Sequence, residues 1–172
     1  MIVALFRHGP AGSADASRWP DDSERPLTAR GIARTRQAAR GLSRLLADPT
    51  LVLTSALARA RQTAEIAAEI LEPSQGVELL DALAPDRAYR GVLTRLEACD
   101  SSDVVVLVGH EPQLGKLAGM LLFGAPSTAL PIKKAGAAII TFAGPMRPGD
   151  GHLTAFAPPR MLRRLTARRS RV

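Results

Sequence analysis

The chain has 172 residues, of which 46% are hydrophobic, and this length and composition fit one folded domain and argue against a disordered polyelectrolyte. Its 23 lysines and arginines exceed its 16 aspartates and glutamates, so the net charge is +7 and a negatively charged partner or substrate is expected. Aromatic residues make up only 3%, which argues against a stacking platform for single-stranded nucleic acid.

Short apolar runs alternate with amphipathic segments along the whole chain. Residues 2–6 (IVALF) are too few for a helix and too apolar for a half-exposed strand, so they predict a central strand that is buried on both faces. The later predicted strands lie at 51–53, 77–80, 104–108, 137–142 and 153–156. The predicted helices lie between Thr28 and Pro49, at 58–71, at 87–98 and between Pro112 and Gly124. This alternation predicts a three-layer α/β fold with a mostly parallel central sheet and helices on both faces.

The end of the chain is rich in arginine and holds no acidic residue. Because we find no internal repeat and no interdomain linker, residues 1–159 are predicted to form one domain, followed by an arginine-rich tail at 160–172. We interpret the tail as a solvated or disordered end rather than an arm for nucleic acid, although its charge would permit salt-sensitive, non-specific binding. Its arginines are Arg160, Arg163, Arg164, Arg168, Arg169 and Arg171.

Cysteine usage and the N-terminal sequence favour a cytoplasmic protein. The single cysteine, Cys99, can form neither an internal disulfide nor a cysteine-rich zinc site, which fits a reducing compartment. The first apolar run ends after about five residues at Arg7, unlike a secretory signal, and no run approaches the roughly 20 apolar residues of a membrane span. We therefore expect a soluble, cytoplasmic protein without a membrane partner.

The polar residues that follow the predicted strands are the candidates for function. In parallel sheets the ligand site lies at the carboxyl ends of the strands, and there stand Arg7-His8-Gly9, Thr54-Ser55 and Gly109-His110. Each of these histidines has a glycine beside it, which would let the backbone approach a ligand closely. Arg7, together with Arg59 or Arg61 after the second strand, could bind an anion, because a guanidinium fork matches phosphate oxygens.

Several common site motifs are missing from the sequence. Neither a Walker loop nor a GxGxxG after a strand occurs, so sites for nucleoside triphosphates and dinucleotides are not supported. His110-Glu111 begins like a zinc-protease motif, but Leu114 stands where the second histidine is needed, and we expect no metal. Ser55 lies in no GxSxG element, which argues against a serine hydrolase.

Four short motifs occur in order between Met1 and Gly124, each at a predicted strand end or helix start. They are Arg7-His8-Gly9, 25–31 (RPLTARG), 55–63 (SALARARQT) and 108–112 (VGHEP). In order and spacing they resemble the histidine phosphatase superfamily, which is also called phosphoglycerate mutase-like. The resemblance implies that His8 is the nucleophile that takes up the phosphoryl group. It also implies that Arg7, Arg59 and His110 bind that group and that no metal or organic cofactor is required.

The chemistry of these residue types agrees with that resemblance. A neutral imidazole can attack phosphorus in line while the surrounding cations stabilise charge on the transferred group, and water then hydrolyses the phosphohistidine. We add Gly9 and Ser55, from the same strand ends, to the predicted substrate-binding residues. Because His8 must be unprotonated on the attacking nitrogen, and an ordinary histidine pKa is about 6.5, we predict that activity falls below about pH 6.

Many members of the superfamily carry a glutamate that acts as general acid in the segment after the third strand. Here that segment, 78–86, reads ELLDALAPD, and Asp81 and Asp86 are the candidates. An imidazole leaving group needs less help from an acid than a sugar alkoxide does. The region between Arg59 and His110 is also short, which leaves little room for a lid. These features and the chain length resemble the phosphohistidine phosphatase branch of the superfamily.

Three functional hypotheses remain at this point. The preferred one is a phosphatase that removes phosphate from phosphohistidine on another protein. The second keeps the mechanism and changes the substrate to a small phosphorylated metabolite with a phosphomonoester. The third is a non-catalytic phosphate-binding module. Nucleic acid is not an expected partner under the first two hypotheses.

Overall fold

A six-stranded sheet lies at the centre of the computed structural model, which describes residues 1–166. Its strands are β1 (Ile2–Arg7), β2 (Leu51–Thr54), β3 (Val77–Leu79), β4 (Val104–Gly109), β5 (Ala137–Thr141) and β6 (His152–Ala157). The helices are α1 (Ala29–Leu42), α2 (Ala58–Leu71), α3 (Arg90–Glu97), α4 (Gln113–Phe123) and α5 (Pro159–Leu165). Two single 3-10 turns lie in connecting segments, at Asp22–Glu24 and Asp81–Leu83. Within residues 1–166, no helix combines the length and the apolar character that crossing a bilayer requires.

The strands are arranged in the order β3-β2-β4-β1-β5-β6. The first four are parallel to one another, whereas β5 and β6 pair in antiparallel fashion at one side of the sheet. The predicted α/β fold with a mostly parallel sheet is therefore confirmed. The central strands β1 and β4 lie side by side, with Arg7 paired to Gly109, so the residues that follow them emerge at the same edge.

Each strand sends alternate side chains to the two faces of the sheet, and each face packs on its own helices. Val3 and Leu5 of β1 belong to a core that they share with buried residues of α3 and α4. Their neighbours Ala4 and Phe6 belong to the core on the other face, which they share with buried residues of α1, α2 and α5. Double-sided burial explains why the sequence of β1 is apolar throughout rather than alternating.

Helix α1 begins where the sequence predicts and ends earlier. The hydroxyl of Thr28 accepts a hydrogen bond from the N–H of Gly31 at 2.9 Å and so caps the first turn. The predicted helix continues to Pro49, but α1 ends at Leu42. The helix ends in a tighter turn, in which the N–H groups of Arg44 and Leu45 donate to the carbonyls of Gly41 and Leu42, three residues before each. The hydroxyl of Ser43 donates to the carbonyl of Arg40 in the same turn.

The predicted boundary between domain and tail is wrong for the residues immediately after Pro159. Residues 160–165 belong to α5, which has proline at its first position and buries Leu162 completely against α1. The approach is close, since a Cβ on Gly41 of α1 would lie 2.0 Å from the carbonyl oxygen of Leu162. Leu162 and Leu165 lie at helical spacing, and their packing against the core stabilises a helix although arginines surround them. The remaining predicted tail arginines, Arg168, Arg169 and Arg171, lie outside the described residues.

Candidate active site

The two histidines that follow the central strands lie side by side at the carboxyl edge of the sheet. His8 follows β1 and His110 follows β4, and the N–H of His8 donates to the carbonyl of Gly109 at 3.0 Å. The centroids of the two rings are 5.0 Å apart, and the ring planes are inclined by 46°. Both side chains are almost buried, so they share one small, largely desolvated space.

The carbonyl of Gly9 determines which nitrogen of His8 carries the proton. Nδ1 of His8 lies 2.7 Å from that carbonyl oxygen. Because a carbonyl can only accept a hydrogen bond, the proton resides on Nδ1 and the lone pair on Nε2. Gly9 is itself held in place, since its N–H donates to the hydroxyl of Thr63 at 3.0 Å. His8 therefore presents Nε2 as a nitrogen that is capable of nucleophilic attack.

Glycine is required at position 9 for the packing of α1. A Cβ on Gly9 would lie 1.9 Å from the hydroxyl oxygen of Thr35, which is fully buried. The sequence argument expects the glycine to admit a ligand to the backbone. The structure gives a different reason, because the space beside this backbone is filled by a side chain of the protein.

Ser55 is the partner of the second histidine. Its hydroxyl oxygen lies 2.7 Å from Nε2 of His110, and its own side chain is fully buried. Ser55 thus lies behind the imidazole of His110 and orients it. The structure brings Ser55 to the site, as an orienting residue that has no access to solvent.

Burial lowers the pKa of both imidazoles far below the ordinary histidine value. The pKa of His8 is lowered to about 4, mainly by burial and also by the cations Arg59, Arg7 and Lys134, while the bond to Gly9 opposes the shift. The pKa of His110 is lowered to about 3, again mainly by burial, with smaller contributions from His8, Arg59 and Arg7. Both rings are neutral at pH 7. The predicted loss of activity near pH 6, which assumed an unperturbed pKa, moves to a lower pH.

Arg7 and Arg59 each carry a buried N–H that has no partner within residues 1–166. In Arg7, Nη1 donates to the carbonyl of Ile132 at 2.9 Å, whereas Nε makes no hydrogen bond. In Arg59, Nη1 and Nη2 contact the carbonyl and the carboxylate of Asp22 at 2.8 and 3.0 Å, and Nε is again unpaired. A buried unpaired donor costs about 1–3 kcal/mol. Two such donors beside two neutral imidazoles favour the entry of an oxyanion.

Comparisons with known proteins agree with this geometry. The family model of the histidine phosphatase superfamily (branch 1) matches residues 3–85. The structure of the protein histidine phosphatase SixA complexed with tungstate matches with a TM-score of 0.78 and 29% identity, over 93% of this chain and 98% of that chain. The chain belongs to the histidine phosphatase superfamily. It is a phosphatase of this superfamily.

Two further proteins are similar to this histidine phosphatase. An uncharacterized protein of Picosynechococcus sp. strain PCC 7002 is 41% identical over 139 residues, which cover 79% of this chain and 82% of that protein. The structure of a putative phosphohistidine phosphatase SixA from Agrobacterium tumefaciens matches with a TM-score of 0.72 and 24% identity, over 92% of this chain and 97% of that chain. The match to the Agrobacterium tumefaciens structure shows that the two proteins share a fold.

Asp22 is a residue of this histidine phosphatase site that the sequence did not reveal. It lies in the long loop before α1, where the sequence shows no periodicity, and it contacts both Arg59 and Arg25. The hydrogen bond from Arg25, with the charge of Arg59, holds the pKa of Asp22 below its usual range. Asp22 is therefore an ionised group that orients Arg59 and a poor proton donor.

The loop before β5 also contributes to the site without a signal in the sequence. Arg7 donates to the carbonyl of Ile132, and the N–H of Ile132 donates to the carboxylate of Glu111 at 2.9 Å. Burial raises the pKa of Glu111, which lies close enough to Arg7 for their charges to attract. Lys134, two residues further on, adds positive charge near His8.

The two predicted general acids are not joined to the imidazoles. Asp81 begins a 3-10 turn and Asp86 follows it in the chain, and both side chains are exposed. Within residues 1–166, neither carboxylate forms an ion pair or a hydrogen bond with the histidines or arginines of the site. The same part of the chain holds no group of three His, Cys, Asp or Glu side chains that is arranged to bind a metal ion.

Proposed function

We propose that this phosphatase hydrolyses phosphohistidine on a protein substrate, through a covalent phosphohistidine intermediate on His8. The observation that carries the proposal is that His8, Arg7 and Arg59 come together at the carboxyl edge of the sheet. Nδ1 of a neutral His8 donates to the Gly9 carbonyl and leaves the lone pair on Nε2, and the charges of Arg7 and Arg59 are close enough to lower the pKa of this ring. Each of these two arginines also has a buried Nε–H without a partner within residues 1–166. This arrangement provides a nucleophile and donors for the phosphoryl oxygens in one place.

Transfer of the phosphoryl group begins with attack by Nε2 of His8 on phosphorus. The N–P bond of the substrate breaks as the new N–P bond to His8 forms, while Arg7 and Arg59 donate to the equatorial oxygens. The Gly9 carbonyl accepts from Nδ1–H and stabilises the positive charge that develops on the ring of His8. Water then attacks phosphorus in the intermediate and releases phosphate and neutral His8.

The leaving group favours phosphohistidine over a phosphomonoester. When the second ring nitrogen of the substrate carries a proton, the ring leaves as neutral imidazole and needs no proton from the enzyme. An alkoxide leaving group, by contrast, would need a proton from the enzyme. Asp22, the carboxylate that contacts Arg59, has a lowered pKa and is a poor donor.

Access to the site and the similarity to SixA also support this substrate. Strand β3 and helix α3 are joined by residues 80–89, which contain only one short 3-10 turn, so the connection is too short to form a large lid. SixA is a protein histidine phosphatase by name, and its complex contains tungstate, a tetrahedral oxyanion of the same shape as phosphate. The cytoplasmic location expected from the sequence stays a prediction.

The test is a comparison of two kinds of substrate with the same enzyme. We expect kcat/KM for a histidine-phosphorylated peptide to exceed that for sugar phosphates, whose alkoxide leaving groups need a proton. Labelled phosphate should be trapped on the protein after quenching in alkali and should be released by acid, as expected for phosphohistidine. A higher kcat/KM for a small phosphomonoester would support the second hypothesis and reject the protein substrate.

Substitution of the nucleophile separates catalysis from mere binding. His8→Ala should abolish both turnover and the trapped label, because it removes the ring nitrogen that attacks phosphorus in the proposed reaction. His152→Ala is the matched control, since His152 is exposed on β6, and it should leave both unchanged. Equal phosphate binding with no turnover in the parent protein would support the non-catalytic module.

A further inference from the structure

A strongly basic cavity opens beside the active site. Its volume is about 460 Å³, and Arg7 forms part of its wall. Six of the nine residues that line it are cations, and none is acidic. The cations are Arg7, Arg34, Lys133, Lys134, Arg160 and Arg163.

Within residues 1–166, none of the six cations of this basic cavity forms an ion pair, although Glu111 is close enough to attract Arg7. The ion pairs within residues 1–166 use other cations, namely Arg25, Arg36, Arg59 and Arg95. Residues 167–172 include no acidic side chain. Burial and the neighbouring charges of Arg34 and Arg160 lower the pKa of Arg163. The pKa of Lys134 is lowered mainly by burial and also by the charge of Arg7. Cations that repel one another in a concave space form a site for an anion.

One wall of the basic cavity is attached directly to the strand that carries the nucleophile. The N–H of Ala135 lies 3.1 Å from the carbonyl of Arg7 and 3.2 Å from that of His8. The N–H of Arg7 in turn donates to the carbonyl of Gly136 at 3.1 Å. These bonds hold Lys133 and Lys134 at a defined position next to the phosphoryl site.

The opposite wall is a helix that is packed firmly on the domain. Arg160 and Arg163 lie on α5, whose Leu162 is fully buried against α1. Arg34 comes from α1 itself, so the two helices present their arginines to the same space. Neither His8 nor His110 lines the cavity, which therefore reaches beyond the proposed phosphoryl site, over more cations than one phosphate can contact.

We propose that the basic cavity binds an acidic segment of the substrate protein, adjacent in its sequence or surface to the phosphohistidine. The proposal rests on the proposed function, because it assigns the second contact of the same substrate. A peptide suits the cavity better than a second small anion, since Lys133, Lys134 and Arg160 are exposed and spread over two walls. Several carboxylates along a chain can pair with several separated cations, and this complementarity raises the rate and specificity of docking.

The experiment uses two peptides that carry the same phosphohistidine. Glutamates flank the phosphohistidine in one peptide and glutamines flank it in the other. We expect kcat/KM to be about tenfold higher for the acidic peptide, the combined effect of a few exposed ion pairs. The ratio should fall towards one when the salt concentration is raised, because salt screens exposed charges.

Variants of α5 test whether the basic cavity is responsible. The double variant Arg160→Gln, Arg163→Gln should lower the ratio of the two kcat/KM values about two- to tenfold, towards one. Arg164→Gln is the matched control on the same helix, since Arg164 is exposed and does not line the cavity, and the ratio should stay the same. The ratio is measured within one preparation, so a loss of folded protein affects both peptides equally.

Direct binding distinguishes failure of this inference from failure of the proposed reaction. A fluorescent glutamate-rich peptide without phosphate should bind the wild type and Arg164→Gln equally, and should bind the double variant about two- to tenfold more weakly. If that pattern appears while neither phosphorylated peptide is hydrolysed, the proposed reaction is wrong and the acidic-segment site stands. The inference is overturned if all three proteins bind the acidic peptide equally, or if kcat/KM is equal for the two phosphorylated peptides. It is also overturned if the wild type binds duplex DNA but not the acidic peptide, and the double variant loses the DNA binding.

Discussion

Thr63 of α2 is predicted to hold the proposed nucleophile in place through the backbone of Gly9. The hydroxyl of Thr63 is fully buried, accepts from the N–H of Gly9 at 3.0 Å and donates to the carbonyl of Arg59 at 2.7 Å. The carbonyl of the same Gly9 accepts the Nδ1 proton of His8. Thr63→Val keeps the branched shape of the side chain and removes the hydroxyl, so the buried N–H of Gly9 loses its partner.

The structure sets the size of the expected effect. An unpaired buried N–H costs about 1–3 kcal/mol, and the lost bond to the Arg59 carbonyl adds a net contribution of about 1 kcal/mol. We expect Thr63→Val to lower the free energy of unfolding by about 2–4 kcal/mol. A small displacement of Gly9 also moves the ring of His8, so kcat/KM should fall by about 10- to 100-fold.

Urea unfolding and steady-state kinetics on the same preparations measure both effects. Thr63→Ser keeps the hydroxyl and should recover most of the lost stability and activity. Thr94→Val is the matched control, since Thr94 is exposed on α3, and it should change the free energy of unfolding by less than about 0.5 kcal/mol. If Thr63→Val matches the wild type in both stability and kcat/KM, the role assigned to the Gly9 backbone is refuted.

Three further predictions concern the same site. The contribution of His8 to the free energy of unfolding should be constant above about pH 6.5 and should decrease as the pH falls towards 4. The reason is that His8 is protonated near pH 6.5 in the unfolded chain, whereas its pKa in the folded protein is about 4. Activity should likewise be lost only well below pH 6, and a midpoint of activity loss near pH 6.5 would contradict the lowered pKa. Ser55→Ala removes the hydroxyl that bonds the second imidazole, so unfolding measurements should show a loss of about 1–3 kcal/mol and kinetics a lower kcat/KM; wild-type values would exclude an orienting role. Gly9→Ala places a methyl group against the Thr35 hydroxyl and should lower the free energy of unfolding by about 1–3 kcal/mol, whereas Gly12→Ala, with nothing within 4 Å of its added carbon, should change it little.

Local patterns in the sequence were sufficient for the central strands and for the residues attached to their ends. A strand that is buried on both faces must be apolar throughout, so 2–6 and 104–108 were recognisable without a structure. Parallel neighbours then place the residues after them at one edge, which is how His8 and His110 were identified as a pair. Arg59 needed the motif around it as well, because an arginine in a helix is ordinarily a surface residue.

Apolar spacing also explains the main error in the sequence-based fold. The arginines after Pro159 suggested a solvated tail, and only two leucines, Leu162 and Leu165, indicated otherwise. Their contribution depends on whether a partner surface exists, and that surface is α1, more than a hundred residues earlier in the chain. The burial that stabilises such a short helix is tertiary, because isolated helices of this length are unstable in water.

The sequence by itself determined the fold class and the superfamily, and it predicted the four polar side chains of the proposed site. Only the tertiary structure decided which tautomer His8 adopts, that Asp22 orients Arg59, and that Thr63 supports Gly9. Burial periodicity depends on residues that are three or four positions apart in a helix and two apart in a strand. Hydrogen bonds between loops and helices that are distant in the chain leave no such period, because they depend on where the backbone passes in space.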